Sequence, residues 1–154
     1  MLIRMSTATQ SRRSTPLHSV SVAGAVVRDD GRMLAIRRVD NGRWELPGGV
    51  LEIEEAPEGG VRREVLEETG VEVDVERLTG VYKNMARGIV ALVFRCRPVG
   101  GTARTSDEAA AVSWLTPDEV AVVMAEAYAV RLLDAIGDNP PYVRIHDGQR
   151  LVAG

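Results

Sequence analysis

The chain has 154 residues, of which 45% are hydrophobic, so it is long and apolar enough to form one domain with a substantial core. Its formal net charge of -3 excludes an overall electrostatic attraction to nucleic-acid polymers or anionic membranes. Its single cysteine, Cys96, excludes an intrachain disulfide, and no apolar run reaches the roughly 20 residues that a membrane-spanning helix needs. We therefore predict a cytoplasmic protein.

The N-terminal part of the chain is predicted to be a tail followed by a hairpin. Residues 1–17 mix serine, threonine and arginine without an apolar segment, which is typical of a disordered tail; an organellar transit peptide is the alternative. Strand-like runs follow at about 20–27 and 33–38. The sequence Asp-Asp-Gly-Arg at 29–32 is typical of the turn between them.

A helix is predicted from Ala56 to Thr69. Pro57 suits its first turn, and Gly70 suits the position just after its last residue. Before this helix, Pro47 stiffens the chain, while Gly48 and Gly49 favour a tight turn that exposes backbone groups to a ligand.

The second half of the chain is predicted to contain strands and then a helical region. Strand-like runs lie at 71–75, 78–85, 89–97 and 112–115. Thr116 and Glu119 have the spacing of a capping box, so a helical run begins there and continues, with or without a break, to about Ile136. Residues 18–136 would then form one domain, and 137–154 a C-terminal extension. The order of elements predicts an α/β (α+β) fold with a mixed sheet.

Three carboxylates crowd one face of the predicted helix. Glu64, Glu67 and Glu68 have i, i+3 and i+4 spacing, at which like charges destabilise a helix by about 0.2–0.5 kcal/mol per pair. They also lie in the later part of the helix, where the helix dipole favours cations. A divalent cation would reverse this balance, because carboxylate oxygens are preferred ligands of hard ions such as Mg²⁺. The alternative is a solvated acidic face paired with neighbouring arginines.

The segment around this helix resembles the Nudix box. That motif has glycine, five residues, glutamate, seven residues, Arg-Glu, an aliphatic residue, any residue, Glu-Glu, any residue, glycine and an aliphatic residue. Every fixed position is matched in this sequence, by Gly49, Glu55, Arg63, Glu64, Val65, Glu67, Glu68, Gly70 and Val71. Flanking segments extend the resemblance to about residues 18–136.

The resemblance implies the Nudix fold, in which a mixed β-sheet is sandwiched between α-helices. It also implies Mg²⁺-dependent hydrolysis of a nucleoside diphosphate linked to another group, with Mn²⁺ as a substitute metal. The substrate is left open; a nucleoside triphosphate or damaged dNTP, as in MutT-like members, is the expectation. The metal ligands implied are Gly49, through its carbonyl oxygen, Glu64, Glu67 and Glu68. Arg63 would orient the carboxylates, and Glu55 would support the box.

The general base is left open among the carboxylates of the site. The catalytic candidates are Glu64, Glu67, Arg63 and Glu108. Glu108 is included because a late acidic residue often completes such sites; a surface glutamate in a loop is the alternative. For the substrate, Arg38 is favoured over its neighbour Arg37 because it shares a strand face with apolar residues; a solvated arginine is the alternative. Tyr82 could stack on a base, with packing inside the strand as the default interpretation. His18 and His146 lack metal-ligand spacing, so we assign neither to the site.

Three other functions remain open from the sequence. A non-catalytic Nudix domain could bind a nucleotide as a sensor, although such domains usually carry a damaged box. An isomerase of the same fold would need a proton-transferring cysteine, and Cys96 lies in an apolar strand. An acidic interaction module is the third. The expected partner is a small nucleotide, and the oligomeric state is open between a monomer and a homodimer formed through a strand edge or the C-terminal extension.

Overall fold

The computed structural model describes residues 14–154, so most of the predicted N-terminal tail lies outside the described residues. Within 14–154 the elements in chain order are β1 (Ser19–Val26), β2 (Met33–Arg38), β3 (Trp44–Glu45), β4 (Gly48–Val50), α1 (Pro57–Thr69), β5 (Val71–Asn84), β6 (Ile89–Gly101), β7 (Ala109–Leu115), α2 (Pro117–Val123), α3 (Glu126–Ala135) and β8 (Tyr142–His146). None of these helices has both the length and the apolar character needed to cross a membrane.

The strands form two sheets. The larger has the order β4-β1-β6-β5-β8, with β1 parallel to β6, β5 parallel to β8, and the other neighbours antiparallel. The smaller is antiparallel and has the order β3-β2-β7. The predicted mixed α/β architecture is confirmed. Strand β8, from the C-terminal extension, lies at the edge of the larger sheet.

Helices pack on both faces of the larger sheet because strand β1 alternates its side chains between two cores. Val22 packs with Val61 and Val65 of helix α1. Ala23 points to the opposite face, into a cluster that contains Leu132 of helix α3. A strand that is buried on both faces has a nearly continuous apolar sequence, as residues 22–26 of β1 have.

The predicted helix ends are confirmed. Gly70 follows helix α1 in the left-handed conformation (φ 75°), and its N–H donates to the Leu66 carbonyl oxygen. Both hydrogen bonds of the capping box between Thr116 and Glu119 are present at the start of helix α2. The helical region breaks at residues 124–125, where helix α2 ends and helix α3 begins.

Some predicted strand boundaries are wrong. The runs at 71–75 and 78–85 form one strand, β5, because register shifts let it bend while it stays paired with β6. Gly48 and Gly49 are not in a tight turn; they pair with β1 as part of β4. Strands β3 and β4 were not predicted, since two or three residues carry no detectable periodicity.

The prediction that Tyr82 stacks on a substrate base is wrong. Its side chain is 0% exposed and belongs to the core beneath helix α3. The Tyr82 hydroxyl donates to Oδ2 of Asp134 over 2.8 Å, and Arg144 of β8 donates to both oxygens of the same carboxylate. Tyr82 thus joins strand β5, helix α3 and strand β8.

We predict that Tyr82→Phe lowers the free energy of unfolding by about 1.5–3 kcal/mol, the usual range for a hydrogen bond to a charged group. Tyr142→Phe is the matched control, because the Tyr142 hydroxyl makes only a long contact of 3.4 Å with the Asn139 N–H. The control should change the stability by less than about 0.5 kcal/mol. Urea denaturation measures both variants, and equal losses would contradict the proposed importance of the buried hydroxyl.

Candidate functional site

Helix α1 and strand β4 bring the predicted carboxylates and glycine together. Glu64 and Glu68, one turn apart, are buried on the side of the helix that faces β4. A Cβ atom on Gly49 would lie only 2.5 Å from Oε1 of Glu64, so any other residue here would displace this carboxylate. The Glu67 side chain is 60% exposed, and it therefore flanks the buried pair instead of pointing into the same space.

Glu68 is the most perturbed acid of the site. The residue is 3% exposed, and its Oε1 has no hydrogen-bond partner within residues 14–154. Burial raises the pKa of Glu68 from 4.5 to about 9, with further contributions from Glu64 and the charge of Glu108, while the Gly48 N–H acts in the opposite direction. At neutral pH this carboxyl must either hold a proton or be compensated by a cation.

Arg63 links the other carboxylates of the box. Its guanidinium binds both oxygens of Glu55, over 3.0 and 2.6 Å. It also donates to Oε1 of Glu64 over 2.9 Å and to Oε2 of Glu67 over 3.3 Å. The hydrogen bond from Arg63 is the main reason that the pKa of Glu55 falls to about 2. These contacts fix the positions of the carboxylates.

Glu108 lies close to the buried end of this acidic group. It immediately precedes strand β7, and its carbonyl oxygen accepts a hydrogen bond from the Val39 N–H over 3.0 Å. Together with Glu67 and Glu68, it lines a small cavity next to helix α1. The structure therefore brings this sequence-distant candidate for the general base to the helix that carries the other candidates.

The residues present suit a divalent cation in their chemistry. The site contains several hard carboxylate oxygens, including the unpartnered buried oxygen of Glu68. Within residues 14–154, no three His, Cys, Asp or Glu side chains form a group arranged to hold a metal ion. Arg63 instead forms ion pairs with Glu64 and Glu67.

A second cavity, of about 190 Å³, lies on the other side of β4. We call it the β4 cavity; it is lined by Gly48, Gly49 and Val50 together with Arg38, Glu45, Asn84, Tyr128, Arg131 and His146, among others. Arg38 is part of this lining, whereas Arg37 is exposed and is not; a substrate role for Arg38 stays a prediction. The Arg38 guanidinium forms a two-pronged ion pair with Asp40, over 2.9 and 2.7 Å.

Four polar residues of the β4 cavity escaped the sequence analysis: Glu45, Asn84, Arg131 and His146. His146, which we had assigned to no site, is buried at the end of β8 and lines the cavity. Burial raises the pKa of Glu45, and it lowers the pKa of His146 together with the charge of Arg131. No spacing rule links these residues, since the sheet and helix α3 bring them together from distant positions.

Comparison with known proteins gives consistent matches. A family model described as NUDIX domain matches residues 17–135. A MutT-like protein of Streptomyces ambofaciens is 68% identical over 152 residues, or 99% of this chain and 98% of the relative. An ADP-ribose pyrophosphatase of Methanocaldococcus jannaschii is 34% identical over 100 residues, or 60% of this chain and 59% of its own length. The crystal structure of a MutT NUDIX hydrolase from Burkholderia pseudomallei, 29% identical, has a TM-score of 0.68 and covers 77% of this chain and 98% of its own.

We predict that Glu68→Gln stabilises the metal-free protein in a pH-dependent way. A raised carboxyl pKa means that the folded protein disfavours the ionised form, so wild-type stability falls as pH rises from about 4.5 towards 9. The variant lacks this loss. It should match the wild type near pH 4 and exceed it by about 1–3 kcal/mol at pH 8, the typical cost of an unsatisfied buried polar group.

Denaturation at several pH values in chelator measures this difference. Glu58→Gln, at an exposed position in the first turn of the same helix, is the control and should follow the wild type throughout. A difference between Glu68→Gln and the wild type that is constant with pH would show that Glu68 does not ionise as described.

Proposed function

The chain belongs to the NUDIX family of hydrolases, which act on phosphoanhydride bonds, and from that premise we propose a Mg²⁺-dependent enzyme that hydrolyses a nucleoside triphosphate, ordinary or damaged. Mn²⁺ would substitute for Mg²⁺. The observation that carries this proposal is the position of Gly49. It packs against Glu64 of the acidic group and also lines the β4 cavity, so only strand β4 separates a ligand in that cavity from the carboxylates.

Four residues would hold the metal: Gly49 through its carbonyl oxygen, and Glu64, Glu67 and Glu68 through their carboxylates. When bound, the metal would neutralise phosphate charge and favour the attack of water. The unpartnered oxygen of Glu68 supports this assignment, because a buried carboxylate without a donor or cation is costly.

Arg63 would orient the carboxylates instead of contacting the substrate. Its guanidinium is already engaged with Glu55, Glu64 and Glu67. A general base must lie within reach of the attacking water and accept its proton. Glu108 and Glu67 both line the cavity beside helix α1, and Glu64 is the third candidate for the base.

The proposed substrate class follows from the relatives and from the size of the cavity. The relative with near-complete coverage is described as MutT-like, which supports a nucleoside triphosphate. The more distant ADP-ribose pyrophosphatase supports the wider class of nucleoside diphosphates linked to another group. The β4 cavity, at about 190 Å³, has room for one heterocycle next to the acidic group.

The alternative functions receive less support. Cys96 is completely buried, and burial raises its thiol pKa to about 12, which makes it a poor proton donor or acceptor for an isomerase. A sensor domain would bind nucleotide without turnover. The intact set of carboxylates around Arg63 argues for an enzyme instead.

We predict that chelation by EDTA abolishes nucleotide hydrolysis and that Mg²⁺ or Mn²⁺ restores it. Glutamine variants of Glu64, Glu67, Glu68 and Glu108 should separate into two groups in a titration with Mg²⁺. A variant that has lost only a metal ligand should recover part of its rate at high Mg²⁺. A variant that has lost the general base should remain about 10²–10⁴-fold slower at any Mg²⁺ concentration.

Arg63→Ala should behave as a partial ligand defect, because it frees the carboxylates without removing them. Glu58→Gln again provides the matched control and should retain the wild-type rate. Nucleotide hydrolysis in excess chelator would contradict the metal-dependent mechanism. Tight nucleotide binding by the wild type with no turnover under any metal would indicate the sensor function.

A further inference from the structure

The β4 cavity contains a buried cation that forms no direct ion pair within residues 14–154, although the Glu45 carboxylate lies near enough to interact with its charge. Arg131 is only 7% exposed. Its guanidinium donates to the Ala127 carbonyl oxygen over 3.2 Å and lies against the rings of Tyr82 and Tyr128, at 5.3 and 4.7 Å from their centres. Within residues 14–154 no carboxylate forms an ion pair with it. A buried charge is costly unless it is compensated, so this guanidinium is a strong donor available to a ligand.

The neighbouring His146 cannot accept hydrogen bonds from both N–H groups that face its ring. The imidazole is 1% exposed, and each ring nitrogen faces an N–H group: Nδ1 that of Gly148 at 2.9 Å, and Nε2 that of Arg131 at 3.1 Å. A neutral imidazole carries one proton and offers only one acceptor nitrogen. If Nδ1 accepts from Gly148, then Nε2–H and the Arg131 N–H are two donors facing each other.

An oxygen atom in the cavity would satisfy both donors. A carbonyl oxygen has two lone pairs and can accept from Arg131 and His146 together, whereas a ring nitrogen has only one lone pair. A phosphate oxygen would also accept, but the cavity contains the carboxylate of Glu45, whose side chain is largely buried. Arg38 also lines the cavity, but its guanidinium is paired with Asp40. The Glu45 carboxylate therefore disfavours an anion next to it, and it can accept from an N–H donor because its Arg38 contact is long at 3.4 Å.

We propose that the β4 cavity selects a heterocycle that presents a carbonyl oxygen next to a ring N–H. The oxygen accepts from Arg131 and His146, and the N–H donates to Glu45. Hypoxanthine, guanine and uracil have this edge, whereas adenine has an amino group and a bare ring nitrogen there. The inference rests on the proposed function, because it treats the cavity as the base site of the substrate.

The test compares substrates of equal shape and charge. Wild-type enzyme with Mg²⁺ should hydrolyse ITP with a kcat/KM about tenfold to a hundredfold above that for ATP, as expected for one two-pronged base contact. The kcat/KM for UTP should likewise exceed that for CTP. Equal or reversed preferences would overturn the inference, even if the enzyme hydrolyses all four nucleotides as the proposed function requires.

Variants then test which residues read the base. Arg131→Lys keeps the charge but loses the planar fork, and Glu45→Leu removes the acceptor without adding a charge. Each variant should lower the ratio of kcat/KM for ITP to kcat/KM for ATP at least fivefold, mainly because kcat/KM for ITP falls. Arg95→Lys, outside the cavity, is the matched control and should leave the ratio unchanged. A ratio unaffected in both cavity variants would overturn the inference, and Glu45→Leu alone decides if Arg131→Lys does not fold.

Two binding measurements separate this inference from the proposed function. Calorimetry without metal should show that IMP binds more tightly than AMP, and Glu45→Leu should lose this difference. If this result is obtained but no nucleotide is hydrolysed, the cavity assignment is supported and the proposed function fails. Inorganic tripolyphosphate is the second probe. If it competes with IMP in the wild type but not in Arg131→Lys, the site reads phosphate and the inference is wrong.

Discussion

The acidic site depends on the guanidinium of Arg63. This one group contacts the carboxylates of Glu55, Glu64 and Glu67, and it thereby joins the loop before helix α1 to the helix itself. The contact requires the loop to lie close to the helix. Gly60 permits this approach, because a Cβ there would lie 2.9 Å from a Leu51 methyl group and 3.0 Å from Oε1 of Glu55. A glycine within a helix lowers its stability by about 1 kcal/mol relative to alanine. Here the glycine lets the loop approach the helix closely enough for Arg63 to contact both.

Stability and function are distributed unequally over helix α1. Its apolar face, with Val61 and Val65, is fully buried against the sheet and stabilises the fold. Its acidic face buries Glu64 and Glu68 near each other, and burial, with a further contribution from Glu64, raises the pKa of Glu68 to about 9. Positions that break local rules without a structural gain are typical of functional sites. The buried apolar face stabilises the helix and so offsets the cost of the buried carboxylates next to it.

Sequence patterns predicted the features that are determined locally. The ends of helix α1 and the capping box at Thr116 depend on neighbouring residues, and they are present as expected. The motif also placed Arg63 beside its carboxylates. Tyr82 shows the limit of such reasoning: alternation in β5 indicates two faces, but not which face helix α3 covers. The cavity residues Arg131 and His146 could not be paired from sequence, because their contact arises only when β8 joins the sheet.

Strand β8 brings the far end of the sequence to the cavity beside strand β4. The acidic group is carried mainly by the contiguous stretch 49–68, while His146 reaches the β4 cavity from the far end of the sequence. If the β4 cavity holds the base, as we propose, mutations near the C terminus would alter ligand preference without touching the acidic group. Such a division of the site would let a lineage acquire a new substrate through changes in an edge strand while the acidic group stays unchanged.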